Sequence, residues 1–213
     1  EYLKKTDGII KVHQTRAVVY LFSEKTAIEL DLSYEIEEWP LEEIARFGIG
    51  KYDKDGNFEF NHETYAENLT SKFTFNSLKS SKSATKAFCE FFLEILMDEK
   101  FKITRMFLDE MLENFEEKSL GIFKSIENFC EVAKTVKSKE NILHLSCVEG
   151  LTNIFMFILK MIKGTNVELY EEIIVKKGEL PEQILSSTSE DDEKFEIILR
   201  EILSVKSVVK KVL

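Results

Sequence analysis

The chain has 213 residues, 44% hydrophobic and 32% charged, with 17 Phe and a single Trp, which suits one domain with a sizeable apolar core. With 39 Asp and Glu against 29 Lys and Arg, the formal charge is -10, so the surface repels phosphate backbones and nucleic acid is not an expected partner. No apolar run approaches the ~20 residues of a membrane span, and Glu1-Tyr2-Leu3-Lys4-Lys5 lacks a signal peptide's apolar core.

Three cysteines, Cys89, Cys130 and Cys147, are far apart and embedded in apolar patterns. They read as buried, reduced thiols of a cytoplasmic protein. Only 2 Pro and 8 Gly punctuate the chain, and no Gly/Ser/Pro linker divides it. Residues 1–213 are therefore expected to form a single domain, with a hairpin-rich part over 1–62 and a repeating helix-strand part over 63–213.

In chain order, Ile9 to Val12 and Ala17 to Phe22 are short β-branched-rich runs that predict strands. Ser23-Glu24-Lys25 reads as a turn into Thr26–Leu32, where Ile28, Leu30 and Leu32 alternate with polar residues. A second hairpin is expected from Ile49–Tyr52 to Phe58–Phe60, turned at Asp55-Gly56. From Ser83 the period becomes helical. Ala84, Ala87, Phe88, Phe91, Phe92, Ile95 and Leu96 share one face of an amphipathic helix. Residues 101–108 have strand length, 119–136 are helical, 141–148 predict a strand and 151–162 a buried helix. A strand at 166–174 and a helix at 193–204 follow.

This helix-strand alternation predicts an α/β fold: a leucine-rich-repeat-like layer preceded by N-terminal β-hairpins, with a generic α/β layer as the alternative. Its three strands would be neighbours and parallel.

The residues offer little chemistry. Asp53-Lys54-Asp55-Gly56-Asn57 lacks the Gly and Glu positions of a calcium loop and reads as a hairpin. His13, His62 and His144 have no second ligand at metal-site spacing. No phosphate-binding loop, nucleophile elbow or zinc-protease helix motif occurs. Neither a metal nor a cofactor is expected, and an enzyme is the least favoured class.

The segment Phe91 to Ile103 resembles the helix and following strand of nematode F-box proteins with an FTH domain. The segments Lys137–Leu145, Asn153–Thr165 and Val167–Ile173 resemble that family's next strand, helix and strand, and Thr15–Leu32 its hairpin. Two departures stand out. No F-box motif precedes Ile9, and Lys176-Lys177-Gly178-Glu179-Leu180 replaces the family's next segment.

The resemblance implies a non-catalytic substrate-recognition region of a cullin-RING ubiquitin ligase. It would bind a protein target and reach the Skp adaptor and cullin only through an F-box outside this chain. Some relatives of this type are antidotes that neutralise a toxin. The alternative is an interaction scaffold unrelated to ubiquitin. In the repeat register, Arg105, Phe107, His144, Ser146, Glu168 and Tyr170 would share an open sheet face and bind the target.

Overall fold

The Ile9-Ile10 and Val18-Val19 pairs, strand-like by composition, lie in one long helix, α1 (Tyr2–Leu21). The computed structural model describes residues 2–32, 48–80, 85–113, 129, 145–146 and 149–163. Along the stretch from Ile9 to Val18, α1 buries those two residues and Val12, His13, Gln14, Thr15 and Ala17. A helix enclosed on most sides has no polar stripe to announce its period, so packing overrides the β-branched propensity.

Helix α2 (Glu24–Glu29) starts at Ser23, whose hydroxyl accepts from the Thr26 amide at 3.1 Å. It ends in a Schellman turn. The Leu32 amide donates to Ala27 O at 2.9 Å and the Asp31 amide to Ile28 O at 3.0 Å. Asp31 takes the left-handed position, at φ 59°. The predicted Thr26–Leu32 strand is thus a helix and its cap.

The hairpin forms from β1 (Gly50–Tyr52) and β2 (Phe58–Phe60), antiparallel, with Lys51 opposite Glu59. Its loop is held by the Asp53 carboxylate, which accepts from the amides of Asp55 and Asn57 at 2.9 and 2.8 Å. Gly56 supplies the positive φ, 83°.

Helix α3 (Glu63–Leu78) lies between α1 and α5 (Lys102–Leu112), which packs on its other side and also meets α6 (Thr152–Lys163). The buried face of α3 is mostly small and polar: Ala66, Thr70, Ser71, Thr74 and Ser77 beside Phe73 and Leu78. Two of its hydroxyls, those of Ser71 and Thr74, close on backbone carbonyls. Ser71 Oγ lies 2.8 Å from Glu67 O in its own helix and 2.7 Å from Thr104 O in α5.

Helix α4 (Lys86–Met97) supplies the apolar mass, burying Phe88, Cys89, Phe91, Phe92, Leu93, Ile95 and Leu96. Full burial of each such aromatic or aliphatic chain contributes about 1.5–3 kcal/mol before entropy is counted. Phe92 meets Phe129 and Phe157 at ring distances of 6.0 and 6.1 Å, which ties α4 to α6. Phe22 lies against Phe91 and Phe101 at 4.7 and 4.4 Å. Cys89 is a buried thiol outside any disulfide, whereas Cys130 and Cys147 lie outside the described residues.

The leucine-rich-repeat-like α/β layer is not what the chain forms. Helix takes 73% of the described residues, and the sheet among them has two strands. Residues 101–108, expected as a strand, are a 3-10 turn (Glu99–Phe101) running into α5. The reason is period: Phe101, Thr104, Leu108 and Leu112 are buried at helical spacing. Of the other two expected strands, Leu145 and Ser146 are helical, and 166–174 lies outside the described residues, as do the expected helices at 119–136 (Phe129 apart, which is helical) and 193–204. The buried helix expected at 151–162 is α6.

Glu67 of α3 is 8% exposed. Burial pushes its carboxyl above the ordinary range, Glu63 adds to the shift, and His62 opposes it. A raised acid favours the protonated folded state, so its stability contribution is present at low pH and is lost as pH rises through the folded pKa. Glu67→Gln should therefore raise the melting temperature at pH 7 and change it little near pH 3, measured by scanning calorimetry at both pH values.

Candidate functional site

Helix α5 carries two unlike faces. The inner one holds Thr104, Arg105, Leu108 and Leu112, all buried. The outer one holds Ile103 and Met106, 39% and 49% exposed, with Phe107 and Met111 half-buried beside them. Ile103, Met106 or Phe107, and Met111 recur at i, i+3/i+4 and i+8, so a short apolar stripe runs along the solvent side, interrupted by the exposed Glu110. A helix with apolar side chains on both sides packs against its own domain with one and has the other free for contact.

Arg105, expected on an open sheet face, is 1% exposed and faces inward. Its Nε and Nη2 donate to the two carboxylate oxygens of Glu149 at 2.7 and 2.5 Å. Its Nη1 donates to Ile95 O at 2.8 Å and Asp98 O at 2.6 Å. A flat guanidinium meets a carboxylate bidentately, and the same group satisfies orphan carbonyls at the end of α4. Arg105 is therefore an internal brace rather than a target anchor.

The other expected contact residues separate. Phe107 is half-buried on α5, Ser146 is 3% exposed and turned inward, and His144, Glu168 and Tyr170 lie outside the described residues. The common sheet face that would have gathered them does not exist at Arg105 and Phe107, because consecutive helical residues point about 100° apart.

A cleft that sequence reasoning missed opens where α2, α3 and α4 meet. It has a volume of ≈ 130 Å³ and is lined by Glu29, Leu30, Asp31, Phe73, Ser77, Thr85 and Phe88. Two carboxylates stand on the rim over apolar side chains. Thr85 is the N-cap of α4, accepting from the Phe88 amide at 3.2 Å. No periodic pattern links residues so far apart in the chain, and the one local signal, a non-glycine at a helix C′ position, shows only in the backbone.

No family model, no curated protein and no solved structure matches the chain. Its F-box and FTH resemblance therefore rests on the sequence phrases alone, and the segment 101–103 within them is helical rather than a strand.

A second aromatic cluster joins α1 to the hairpin. The Arg16 guanidinium sits 4.9 Å from the Phe58 ring centre and 5.3 Å from that of Tyr52. Burial lowers the pKa of Arg16 and raises that of Tyr52, and their mutual charge interaction opposes both shifts. Tyr20 packs edge-on against Phe60 at 5.4 Å. His13, expected to be no metal ligand, is buried beside Phe58 at 5.9 Å. Among the described residues, no three His, Cys, Asp or Glu side chains gather as a metal site. Nor is any helix among them long and apolar enough to cross a membrane.

Breaking a buried pair leaves an uncompensated charge, which costs about 3–5 kcal/mol. Arg105→Ala should lower stability by that order in urea unfolding. Arg105→Lys should recover only part of it, because an ammonium cannot reproduce the bidentate fork.

Proposed function

We propose that this chain is a non-catalytic protein-interaction module that holds a protein target on the outer face of α5. The observation that carries this reading is the exposed stripe of Ile103 and Met106 flanked by Phe107 and Met111. Aromatic residues and Met are enriched at interface cores, and the thioether adapts to partner shapes that a branched chain would reject. A short helical face of this kind fits an apolar groove or a second amphipathic helix on the target. The chain's net charge of -10 favours encounter with basic targets.

The F-box and FTH resemblance supplies the setting. In that setting the target is a substrate, or a toxin to be neutralised, and the ligase is reached through the Skp adaptor and cullin. An interaction scaffold unrelated to ubiquitin uses the same face without those partners.

The test compares affinity purifications of the wild-type chain and Met106→Asp from cells, quantified by mass spectrometry. Met106 is half-exposed, so the variant should keep its melting temperature. A charge placed in a hot spot should cost ~2 kcal/mol or more, roughly thirtyfold in target recovery. Co-recovery of a Skp adaptor and cullin with an F-box-containing form of the protein supports the ligase setting, and a target without them supports the scaffold. Undiminished target recovery with a folded Met106→Asp variant removes α5 as the docking face.

A further inference from the structure

The cleft between α2, α3 and α4 has the composition of a receptor for a small organic cation. We infer that it binds a primary ammonium on a short aliphatic stem, such as the end of a lysine side chain. The inference does not depend on the α5 docking face, which lies on a different helix.

Size limits the occupant. The cleft measures ≈ 130 Å³. Sites for drug-sized ligands run from about 300 Å³ upward, whereas a cavity of about 150 Å³ holds a benzene-sized molecule. Five heavy atoms, the count of an aminobutyl group, fit that space.

Chemistry selects the sign. Glu29 and Asp31 bring two carboxylates to the rim, while Leu30, Phe73 and Phe88 offer apolar surface to a methylene stem. Asp31 makes no ion pair among the described residues. Glu29 meets Lys25 at 3.6 Å, but the lysine side chain is 85% exposed. An exposed pair of this sort is worth at most ~1 kcal/mol, so an entering ammonium can displace it. The N-terminus of α4 adds an opposing dipole equivalent to roughly half a charge, capped by Thr85 and outweighed by two full carboxylates.

A buried polar group points to a ligand independently of the rim. Ser77 is 5% exposed and lines the cleft, yet its hydroxyl makes no hydrogen bond among the described residues. Its neighbours Ser71 and Thr74 on the same helix both bond backbone carbonyls. The Ser77 oxygen opens into the cleft rather than being sealed from water, and an ammonium with three donors can take a water's place as its partner. Asp31 also holds a left-handed backbone, φ 59°, at the C′ position where glycine is the unstrained choice.

Two-dimensional NMR of the full chain tests this with three probes: n-butylammonium, capped lysine and capped norleucine. Both amines should shift the amides of residues 29–31, 77, 85 and 88 saturably, with a Kd of about 1 mM, and norleucine should not. Asn tolerates the left-handed region, so Asp31→Asn keeps the turn while removing the charge. It should weaken both amines about tenfold or more. Ser77→Ala should weaken them further, and Lys25→Ala should tighten them. Tighter binding of capped lysine than of butylammonium identifies a polypeptide ligand, and the reverse order a free amine. The inference is overturned if neither amine gives saturable shifts there, if norleucine binds as well as lysine, or if a folded Asp31→Asn variant binds the amines unchanged.

Discussion

The contact on which most of this architecture depends is the guanidinium of Arg105. One planar group joins three pieces of chain: α5, which carries it, the carbonyls of Ile95 and Asp98 at the end of α4, and Glu149 just before α6. Apolar packing alone would allow α4 to slide along α5, because Phe and Leu side chains accept many registers at similar cost. The brace has directional bonds and fixes one register. A buried ion pair adds little net stability against an apolar replacement of the same shape, so its value here is specificity.

Around that brace the helices approach by two means. Between α1, α3 and α5 the contact is made of small side chains and hydroxyls, with Ser71 bonding directly to the α5 backbone. Small residues permit close backbone approach and give up the large hydrophobic area that bulkier side chains would bury. Around α4 the contact is made of Phe rings. The polar seam thus sets distances, and the aromatic cluster provides most of the cohesive energy.

The legible parts of the sequence were those with one apolar face, or with apolar residues nearly all round. Phe88, Phe91, Phe92, Ile95 and Leu96 announce α4, and the run from Ile154 to Ile158 announces α6. The Asp55-Gly56 pair marks the hairpin turn, with Gly56 in the left-handed region. Illegible parts were those where the faces look alike. In α1 the polar residues His13, Gln14 and Thr15 are as buried as Val12, so polarity gives no face. In α3 the buried stripe is Thr and Ser, which composition assigns to surface or turn. Residues 101–108 read as a strand because eight mostly apolar residues suit either structure. Arg105 was expected on an open face because a strand register over 101–108 points it there, and the partner that buries it, Glu149, lies 44 residues away.

The start of α6 is finished by a side chain that does not belong to it. Asp109 of α5 accepts from the Ile154 amide at 2.7 Å and from the Asn153 side chain at 3.1 Å. A helix capped by its own preceding residue can begin to form wherever that segment happens to be. One capped from another helix is completed only after the two have met, so its first turn reports docking as much as local propensity. The order of events in folding is thereby written into one carboxylate: α5 must be in place before α6 gains the cap, and any opening that separates the two frees the Ile154 amide and the Asn153 side chain together.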